Sequence, residues 1–297
     1  MTSPFMGAYL VPLVGGPARR ILDFSGQRLA PMPVAFDRAG RTVAVAPMYA
    51  AAPRDLMLHV LDLESGVRRT FPMRPEGAGD GYASSAYSLE FLDDGRLLMG
   101  GPGGLRLWDT ASGAAERWLW GETRFAVAET DHAGRTIVAL VGELSPNRLR
   151  LLDPELLVLG LDGRVVRRIA SHGNALTATL AVDAAGRLVA TGDASGTVRV
   201  GLLSGEEPHL LLGHAGPVNR VAISPDGRWV ASASGAEIRL WPTPDLSKPP
   251  FHTLPHEELM ARLRALTNLE VVEDPVAPTG YKLEIGPFPG WKDVPEW

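Results

Sequence analysis

Short apolar runs recur along most of the chain, and clusters of Asp, Ser and Gly separate them. Short runs rich in Val, Leu and Ile and bounded by turn residues are typical of β-strands. No helical periodicity competes with this pattern before residue 256. The hydrophobic pattern therefore predicts a chain built from short strands and tight turns.

Acidic turns that end in Gly-Arg join successive apolar runs at five places. In a tight hairpin the Gly adopts a positive φ and the Asp side chain caps the turn, so these residues fit a strand–turn–strand unit. From Gly to Gly the steps are 55, 39, 52 and 41 residues, which indicates a repeat of roughly 40 residues with two insertions. The turns are 37–41, 93–96, 131–135, 183–187 and 225–228.

A second turn, usually Ser-Gly or Asp-Gly, follows each unit after a further apolar run. The two turns divide each unit into four strands, which is the content of one propeller blade, and blades repeat about every 40–45 residues. We therefore expect an all-β fold: a single β-propeller over residues 1–254, with six blades and seven as the alternative. The second turns are 23–26, 63–66, 110–113, 161–163 and 203–205.

The unit at 211–244 carries the most specific motifs. Gly213-His214 opens it, a Ser-Pro-Asp-Gly turn follows at 224–227, and Leu240-Trp241 closes it. These motifs resemble a WD40 repeat, and the resemblance extends by pattern over roughly residues 9–254. It implies a rigid interaction platform, in whose blades a histidine, a serine, a turn aspartate and a tryptophan often form one hydrogen-bonded network.

That network is incomplete in this sequence. The turn Gly235-Ala236 has no aspartate, so we expect most blades to be held together by apolar packing. We assign structural roles to the residues of the WD40-like motifs, including a second Trp-Asp ending. These are His214, Asp226, Ser232, Trp241, Trp108 and Asp109.

Residues 255–297 are expected to form a tail that packs on the propeller and closes it. The pattern predicts an amphipathic helix at 256–268 whose leucines pack back on the propeller, and strands at 269–272 and 281–285. One of these strands could pair with the short N-terminal unit, because a propeller must not leave open edges. The tail also resembles the end of bacterial WD40 proteins, some of which are fused to protein kinases, but no kinase motif is present.

Composition narrows the classes of function. The chain has 297 residues, a net charge of −5 and no cysteine, so a disulfide framework, a thiolate nucleophile and a Cys-ligated metal are excluded. The mild acidity argues against nucleic-acid binding, and no stretch is long and apolar enough for a membrane helix. We therefore expect a cytoplasmic protein with no nucleic-acid or membrane partner.

No catalytic, cofactor or metal motif assembles in the sequence. His256-Glu257 begins like a zinc-protease motif, but Met260 replaces the second histidine. Acidic residues and histidines occur in several blades, yet none falls at repeated equivalent positions that line an identifiable funnel. The arginine pairs at 68–69 and 167–168 indicate a solvated outer strand. We expect no enzyme activity, no cofactor and no metal.

Insertions on otherwise short blades are the candidate binding surface, because binding residues concentrate on loops held by a rigid scaffold. They lie at 47–55, 74–87 and 142–147. In and near them are residue types that are enriched in interface hot spots. The candidate partner-binding residues are Tyr49, Arg54, Tyr82, Tyr87, Trp120 and Arg124.

The favoured function is a non-catalytic scaffold, adaptor or sensor that binds another protein. One alternative is a small-molecule or metal-dependent propeller enzyme that uses the central channel. A second alternative is an obligate hetero-complex in which another chain completes the ring, which the short N-terminal unit would explain.

Overall fold

A computed structural model describes most of the chain. Apart from one α-helix and a short 3-10 helix, the regular structure in the described residues consists of β-strands, as the apolar runs predict. The described ranges are 7–12, 14–23, 33–46, 57–73, 86–101, 104–118, 125–131, 134–144, 151–169, 179–266, 269–276 and 280–286.

Four antiparallel sheets of four strands follow one another along the chain, each with its strands in sequence order. Sheet I contains β3 Val34–Phe36, β4 Thr42–Val45, β5 Met57–Asp62 and β6 Arg68–Pro72. Sheet II contains β7 Ser88–Phe91, β8 Leu97–Gly101, β9 Gly104–Trp108 and β10 Ala115–Trp118. Sheet III contains β11 Phe125–Thr130, β12 Thr136–Leu144, β13 Leu151–Gly160 and β14 Val165–Ile169. Sheet IV contains β15 Thr179–Val182, β16 Leu188–Gly192, β17 Val198–Leu202 and β18 His209–Leu211.

Smaller elements precede and follow these sheets. An N-terminal hairpin pairs β1 Gly7–Leu10 with β2 Arg19–Asp23. Sheet V has three strands, β19 Arg220–Ile223, β20 Trp229–Ser234 and β21 Glu237–Pro242. The tail contains a 3-10 helix at Phe251–Thr253, helix α1 His256–Leu266 and a C-terminal hairpin of β22 Leu269–Glu273 with β23 Tyr281–Ile285.

The first strands of successive sheets lie side by side, from β3 to β7, β11, β15 and β19. A row of neighbouring first strands, with the later strands of each sheet further out, is the arrangement of propeller blades. The prediction of an all-β, WD40-like propeller is confirmed. The number of blades stays a prediction.

Apolar residues fill the space between each sheet and the next. Leu58 and Val60 of sheet I pack with Leu97 and Met99 of sheet II, and equivalent clusters lie between the following sheets. Each fully buried Val or Leu side chain contributes about 1.5–3 kcal/mol relative to an exposed one. The N-terminal hairpin covers part of the free face of sheet I through Leu22 and Ile21.

The Asp-Gly turns form as predicted and connect the first and second strands. In the first of them, Asp37 Oδ1 accepts hydrogen bonds from the backbone N–H groups of Arg41 and Thr42, at 2.6 and 2.9 Å. Asp131 and Asp183 make the same pair of bonds in sheets III and IV. The acidic side chain thereby supplies acceptors that the tight turn would otherwise lack.

The tail contains the predicted elements. Helix α1 begins at His256 as predicted and extends to Leu266, while residues 267–268 of the predicted helix lie outside the described residues. Its leucines do not share one environment, since Leu263 is 40% exposed while Leu259 is half-buried. Among the described strands, β22 pairs with β23 and β1 pairs with β2, so closure of the ring by a C-terminal strand stays a prediction, as does the domain boundary at residue 254.

Candidate functional site

Sheet V contains a buried polar network at the position expected from the WD40-like motifs. His214 Nε2 lies 2.7 Å from Ser232 Oγ, and the indole Nε1 of Trp241 donates to the same hydroxyl at 2.8 Å. Glu237 Oε2 lies 3.0 Å from His214 Nδ1. Hydrogen bonds from Arg239 and His214 lower the pKa of Glu237. The carboxylate missing from the turn is therefore supplied by the first residue of β21.

The other residues of the WD40-like motifs lie in turns and in the core. Asp226 accepts from Ser224 Oγ at 2.5 Å and from the Arg228 backbone N–H at 3.1 Å. Asp109 caps its turn in the same way, accepting from Ser112 Oγ at 2.7 Å. Trp108 is 3% exposed, and its Nε1 has no hydrogen-bond partner in the described part of the chain. Each of these contacts is within a sheet or between neighbouring sheets.

Side chains on the first strands connect each sheet to the next. Ser88 Oγ accepts from the Ala128 backbone N–H at 3.0 Å, and Thr179 Oγ1 accepts from the Val221 backbone N–H at 3.1 Å. The N–H groups concerned lie on the free edge of a first strand, where no neighbouring strand is available to pair with them. A polar side chain from the preceding sheet replaces that missing strand.

Two half-buried glutamates make further connections of this kind. Glu90 accepts from the backbone N–H and the hydroxyl of Thr130, both at 2.6 Å, and Glu129 accepts from the Val182 backbone N–H at 3.0 Å. Partial burial raises the pKa of each carboxyl to about 7, and the charge of Glu90 contributes to the shift of Glu129.

The two glutamates occupy the same position in sheets II and III, which sequence reasoning missed. Each lies two residues before the residue whose carbonyl begins the turn, Leu92 in sheet II and Asp131 in sheet III. Acidic residues therefore do occur at equivalent positions in two sheets, while the expectation that none of them lines a central funnel stays a prediction. In sheet II the turn begins at Leu92, one residue before Asp93, whereas in sheet III it begins at Asp131 itself. An alignment of the two turns on their aspartates therefore does not bring the two glutamates to the same position.

Arginines on the outer strands also bridge between sheets. Arg69 Nη1 donates to the Thr110 carbonyl of sheet II at 2.9 Å, and Arg167 Nη1 donates to the Ser204 carbonyl of sheet IV. Both arginines lie opposite a valine of the third strand, Val60 and Val158. Each arginine pair was expected to be solvated, but one arginine of each pair donates a hydrogen bond to a turn of the following sheet.

The strand order determines which connections share an end of the propeller. Ser88 bonds to Ala128, and Glu90, two residues further along β7, bonds to Thr130, two residues further along β11. These first strands therefore run parallel. In each antiparallel meander the first-to-second and third-to-fourth turns lie at one end, which we call the tight-turn rim. The second-to-third loop and the connection to the next sheet lie at the opposite end, which we call the long-loop rim.

Five segments of six or more residues join strand ends at the long-loop rim of sheets I to III. They are 47–56 within sheet I, 74–85 between sheets I and II, 119–124 between sheets II and III, 145–150 within sheet III, and 170–178 between sheets III and IV. These segments lie outside the described residues, and so do five of the candidate partner-binding residues. The five are Tyr49, Arg54, Tyr82, Trp120 and Arg124.

Tyr87 is the candidate binding residue that the structure describes. Its backbone N–H donates to the Gly100 carbonyl at 2.8 Å, just before β7 begins. Its half-buried side chain packs against the apolar cluster between sheets III and IV. The predicted insertion at 142–147 begins within β12, whose pairing with β13 continues to Leu144 and Leu151.

Two further findings concern the described part of the chain. Within the described residues no three His, Asp or Glu side chains converge in a way that could hold a metal ion. No helix in that part of the chain is long and apolar enough to cross a membrane.

Comparison with known proteins identifies the repeat. A search of the curated proteins found no match. Residues 205–242 match the family model of the WD domain, G-beta repeat (WD40). This range contains β18 to β21 with the His214, Ser232 and Trp241 network, and it follows a succession of four-stranded antiparallel sheets. The chain therefore contains a WD40 repeat, and its succession of antiparallel sheets is consistent with a WD40-like propeller.

Proposed function

We propose that this chain is a non-catalytic interaction scaffold that binds another protein at the long-loop rim of sheets I to III. WD40 domains generally mediate protein–protein interactions and are generally non-catalytic. The strand topology of this chain supports the long-loop rim as the surface that binds.

The observation that carries the proposal is that the long connections belong to one rim. The segments 47–56, 74–85, 119–124, 145–150 and 170–178 all join strand ends at the long-loop rim, and each follows a strand of one of three consecutive sheets. On the tight-turn rim the same sheets have short turns whose Asp side chains are bound to their own backbone. Since binding residues concentrate on loops held by a rigid scaffold, the long-loop rim is the surface on which a partner would be recognised.

The composition of these segments suits a protein partner. Tyr49, Tyr82 and Trp120 supply large side chains with a polar tip, and Arg54 and Arg124 supply cations that form several hydrogen bonds. Acidic residues also occur in the segments, among them Glu76, Asp80 and Glu122. A surface of mixed charge with aromatic residues matches the core and rim of protein interfaces better than it matches a polyanion.

Affinity capture from the native cells, followed by mass spectrometry, tests this proposal. The rim variant combines Arg54→Ala with Arg124→Ala, and the control combines Arg164→Ala with Arg187→Ala, two exposed arginines of the tight-turn rim. We expect a stoichiometric partner that is retained by the control and lost or weakened at least about tenfold by the rim variant, which corresponds to about 1.4 kcal/mol. Equal retention by both variants would contradict the proposal.

A further inference from the structure

Sheet V ends on a strand whose outer edge is open in the described part of the chain. Among the described strands, its third strand β21 pairs with β20, whereas the third strands of sheets I to IV each pair with a fourth strand as well. Those fourth strands are three to five residues long. An open edge presents backbone N–H and C=O groups that a further strand can bind.

The register shows which backbone groups of β21 point outward. The Ala233 carbonyl of β20 accepts from the Asn219 backbone N–H at 2.8 Å, so the backbone groups of Ala233 point towards β19. The residue opposite it on β21 then points away from β20, and that residue is Ile238, with Leu240 two positions further along. The outer edge therefore offers the N–H and C=O groups of Ile238 and Leu240, while Pro242 has no N–H to offer.

The side chains of the same two residues define what an added strand must carry. Ile238 is 75% exposed and Leu240 is 68% exposed, and residues directly opposite them on an added strand would lie on the same face. The residue between those two would lie opposite Arg239, whose guanidinium is already bound to Glu237 at 2.6 Å. The edge therefore fits an extended segment with apolar side chains at alternate positions and an uncharged residue between them.

The residues that follow β21 take another course than the fourth strands of the other sheets. The Thr243 backbone N–H donates to the Arg228 carbonyl at 2.9 Å, and the chain then crosses to sheet IV. There the Lys248 carbonyl lies 3.1 Å from His209 Nε2, and the 3-10 helix contacts β18. Residues 243–254 thus pack on the neighbouring sheet and leave the fourth position of sheet V open.

The neighbouring sheet limits the width of what can occupy this position. β18 is the fourth strand of sheet IV, and sheets IV and V pack against each other through Val200 and Val230. A single strand beside β21 would lie next to β18, about 10 Å away. Antiparallel pairing of β21 with its copy in a second chain would place both copies of sheet IV on one side of the joined sheet, where the two β18 strands would overlap. The position therefore suits one extended segment better than the edge of a second folded sheet.

From these observations we propose that the outer edge of β21 is a docking site for an extended segment of a partner protein, which adds to sheet V as a fourth strand. Main-chain hydrogen bonds to Ile238 and Leu240 hold the segment, and its alternating apolar side chains give specificity. The site lies on the outer side of the series of sheets, whereas the long-loop rim lies at one end of the strands.

Disulfide tethering tests this docking site, because the chain has no cysteine of its own. Pro242→Cys places a thiol at the end of the edge, and the probe is an end-blocked peptide of sequence Cys-Thr-Val-Thr-Val-Lys. When the two cysteines are opposite each other in antiparallel pairing, the valines lie opposite Leu240 and Ile238, and the valine N–H groups point to β21.

Two methylated forms of the peptide are the matched pair. N-methylation of both valines removes the donors that face β21, whereas N-methylation of both threonines removes donors that face away from it. In the same thiol–disulfide buffer we expect at least about fivefold more adduct with the threonine-methylated peptide than with the valine-methylated one, because only the first keeps its hydrogen bonds to the edge.

Two outcomes of the tethering would overturn the proposal. Equal adduct with the two methylated peptides would mean that the peptide does not pair with β21. A Pro242→Cys chain that forms a disulfide-linked dimer in preference to either adduct would assign the edge to a second copy of the chain.

Amide hydrogen exchange of the unmodified full-length chain is a second, independent measurement. We expect the amides of Ile238 and Leu240 to exchange at least about tenfold faster than those of Arg239 and Trp241, which point towards β20. Similar protection of all four amides would mean that the chain's own residues already pair with this edge, and it would also contradict the docking site.

Discussion

At the scale of single residues, polar side chains that are wholly or partly buried link neighbouring strands and sheets by hydrogen bonds. Ser232 joins a histidine from the loop before sheet V to a tryptophan on its third strand. Glu90 and Glu129 bind backbone groups of the next sheet. Because a buried polar group that loses its partner costs more than the bond itself contributes, these residues are sensitive positions.

The variant Ser232→Ala should destabilise the protein. Ser232 is 2% exposed, and its loss leaves the ring nitrogen of His214 and the indole N–H of Trp241 without a partner. An unsatisfied buried group costs about 1–3 kcal/mol, and Trp241 is only half-buried, so we expect the free energy of unfolding to fall by about 2–4 kcal/mol. Chemical denaturation measures this fall. Ser234→Ala, on the same strand and without a described side-chain hydrogen bond, is the control and should change stability by less than about 1 kcal/mol.

The raised pKa values of Glu90 and Glu129 predict that the free energy of unfolding falls as pH rises. The pKa of Glu90 and Glu129 is about 7 in the folded chain, against an ordinary value of 4.5. Their folded-state pKa is raised, so the stability is fully present below about pH 4.5 and is lost as pH rises through 7. Between pH 6.5 and 8.5 we expect a loss of about 1 kcal/mol for each carboxyl.

The variants Glu90→Gln and Glu129→Gln should reduce the dependence of stability on pH. Burial lowers the pKa of His59 to about 4, so the unfolded chain takes up a proton below the ordinary value of 6.5 and stability falls on that acidic side. Measurements above pH 6.5 therefore separate the glutamates from His59. Denaturant midpoints that decline equally in the wild type and both variants would show that the two carboxyls are not responsible.

At the scale of elements, the Asp-Gly turns reverse the chain and also contact the turns of neighbouring sheets. A Cβ at Gly186 of sheet IV would lie 2.8 Å from the Cβ of Asp131 in sheet III. The glycine of one turn is thus in close contact with the aspartate that caps the preceding turn. The tight-turn rim is a row of turns packed against each other, whereas at Gly40 of sheet I a Cβ would have nothing within 4 Å.

Comparing two glycine variants tests this packing. Gly40→Ala and Gly186→Ala both force an alanine to a positive φ, +66° and +65°, which costs about 1–2 kcal/mol. Gly186→Ala must in addition displace Asp131, so we expect it to lose at least about 1 kcal/mol more than Gly40→Ala. Thermal or denaturant unfolding measures both. Equal losses would mean that the turns do not pack on each other.

Local features could be predicted from the sequence, and contacts between sheets could not. The turns at Asp37, Asp131 and Asp183 follow from residue types within five positions, so the sequence shows them directly. The bond from Glu90 to Thr130 depends on a residue 40 positions away. Glu237 escaped prediction because it lies on the strand after the turn in which an aspartate was expected.

At the scale of the whole molecule, the two rims differ in the length of their connections and in the contacts of their polar side chains. On the tight-turn rim the polar side chains bind their own turns or the next sheet, as Arg69 does. The long-loop rim receives the long segments of sheets I to III. This division could not be read from the spacing of the repeats alone, because it depends on the alternation of strand direction within each sheet and on first strands that run parallel.

Hydrogen exchange of the purified complex, compared with the free chain, tests the proposed binding surface most directly. We predict protection on binding in peptides that contain 47–56, 74–85 and 119–124, with little change in peptides that contain the turns 37–41, 131–135 and 183–187. Protection confined to the tight-turn rim, with the long segments unchanged, would contradict the account.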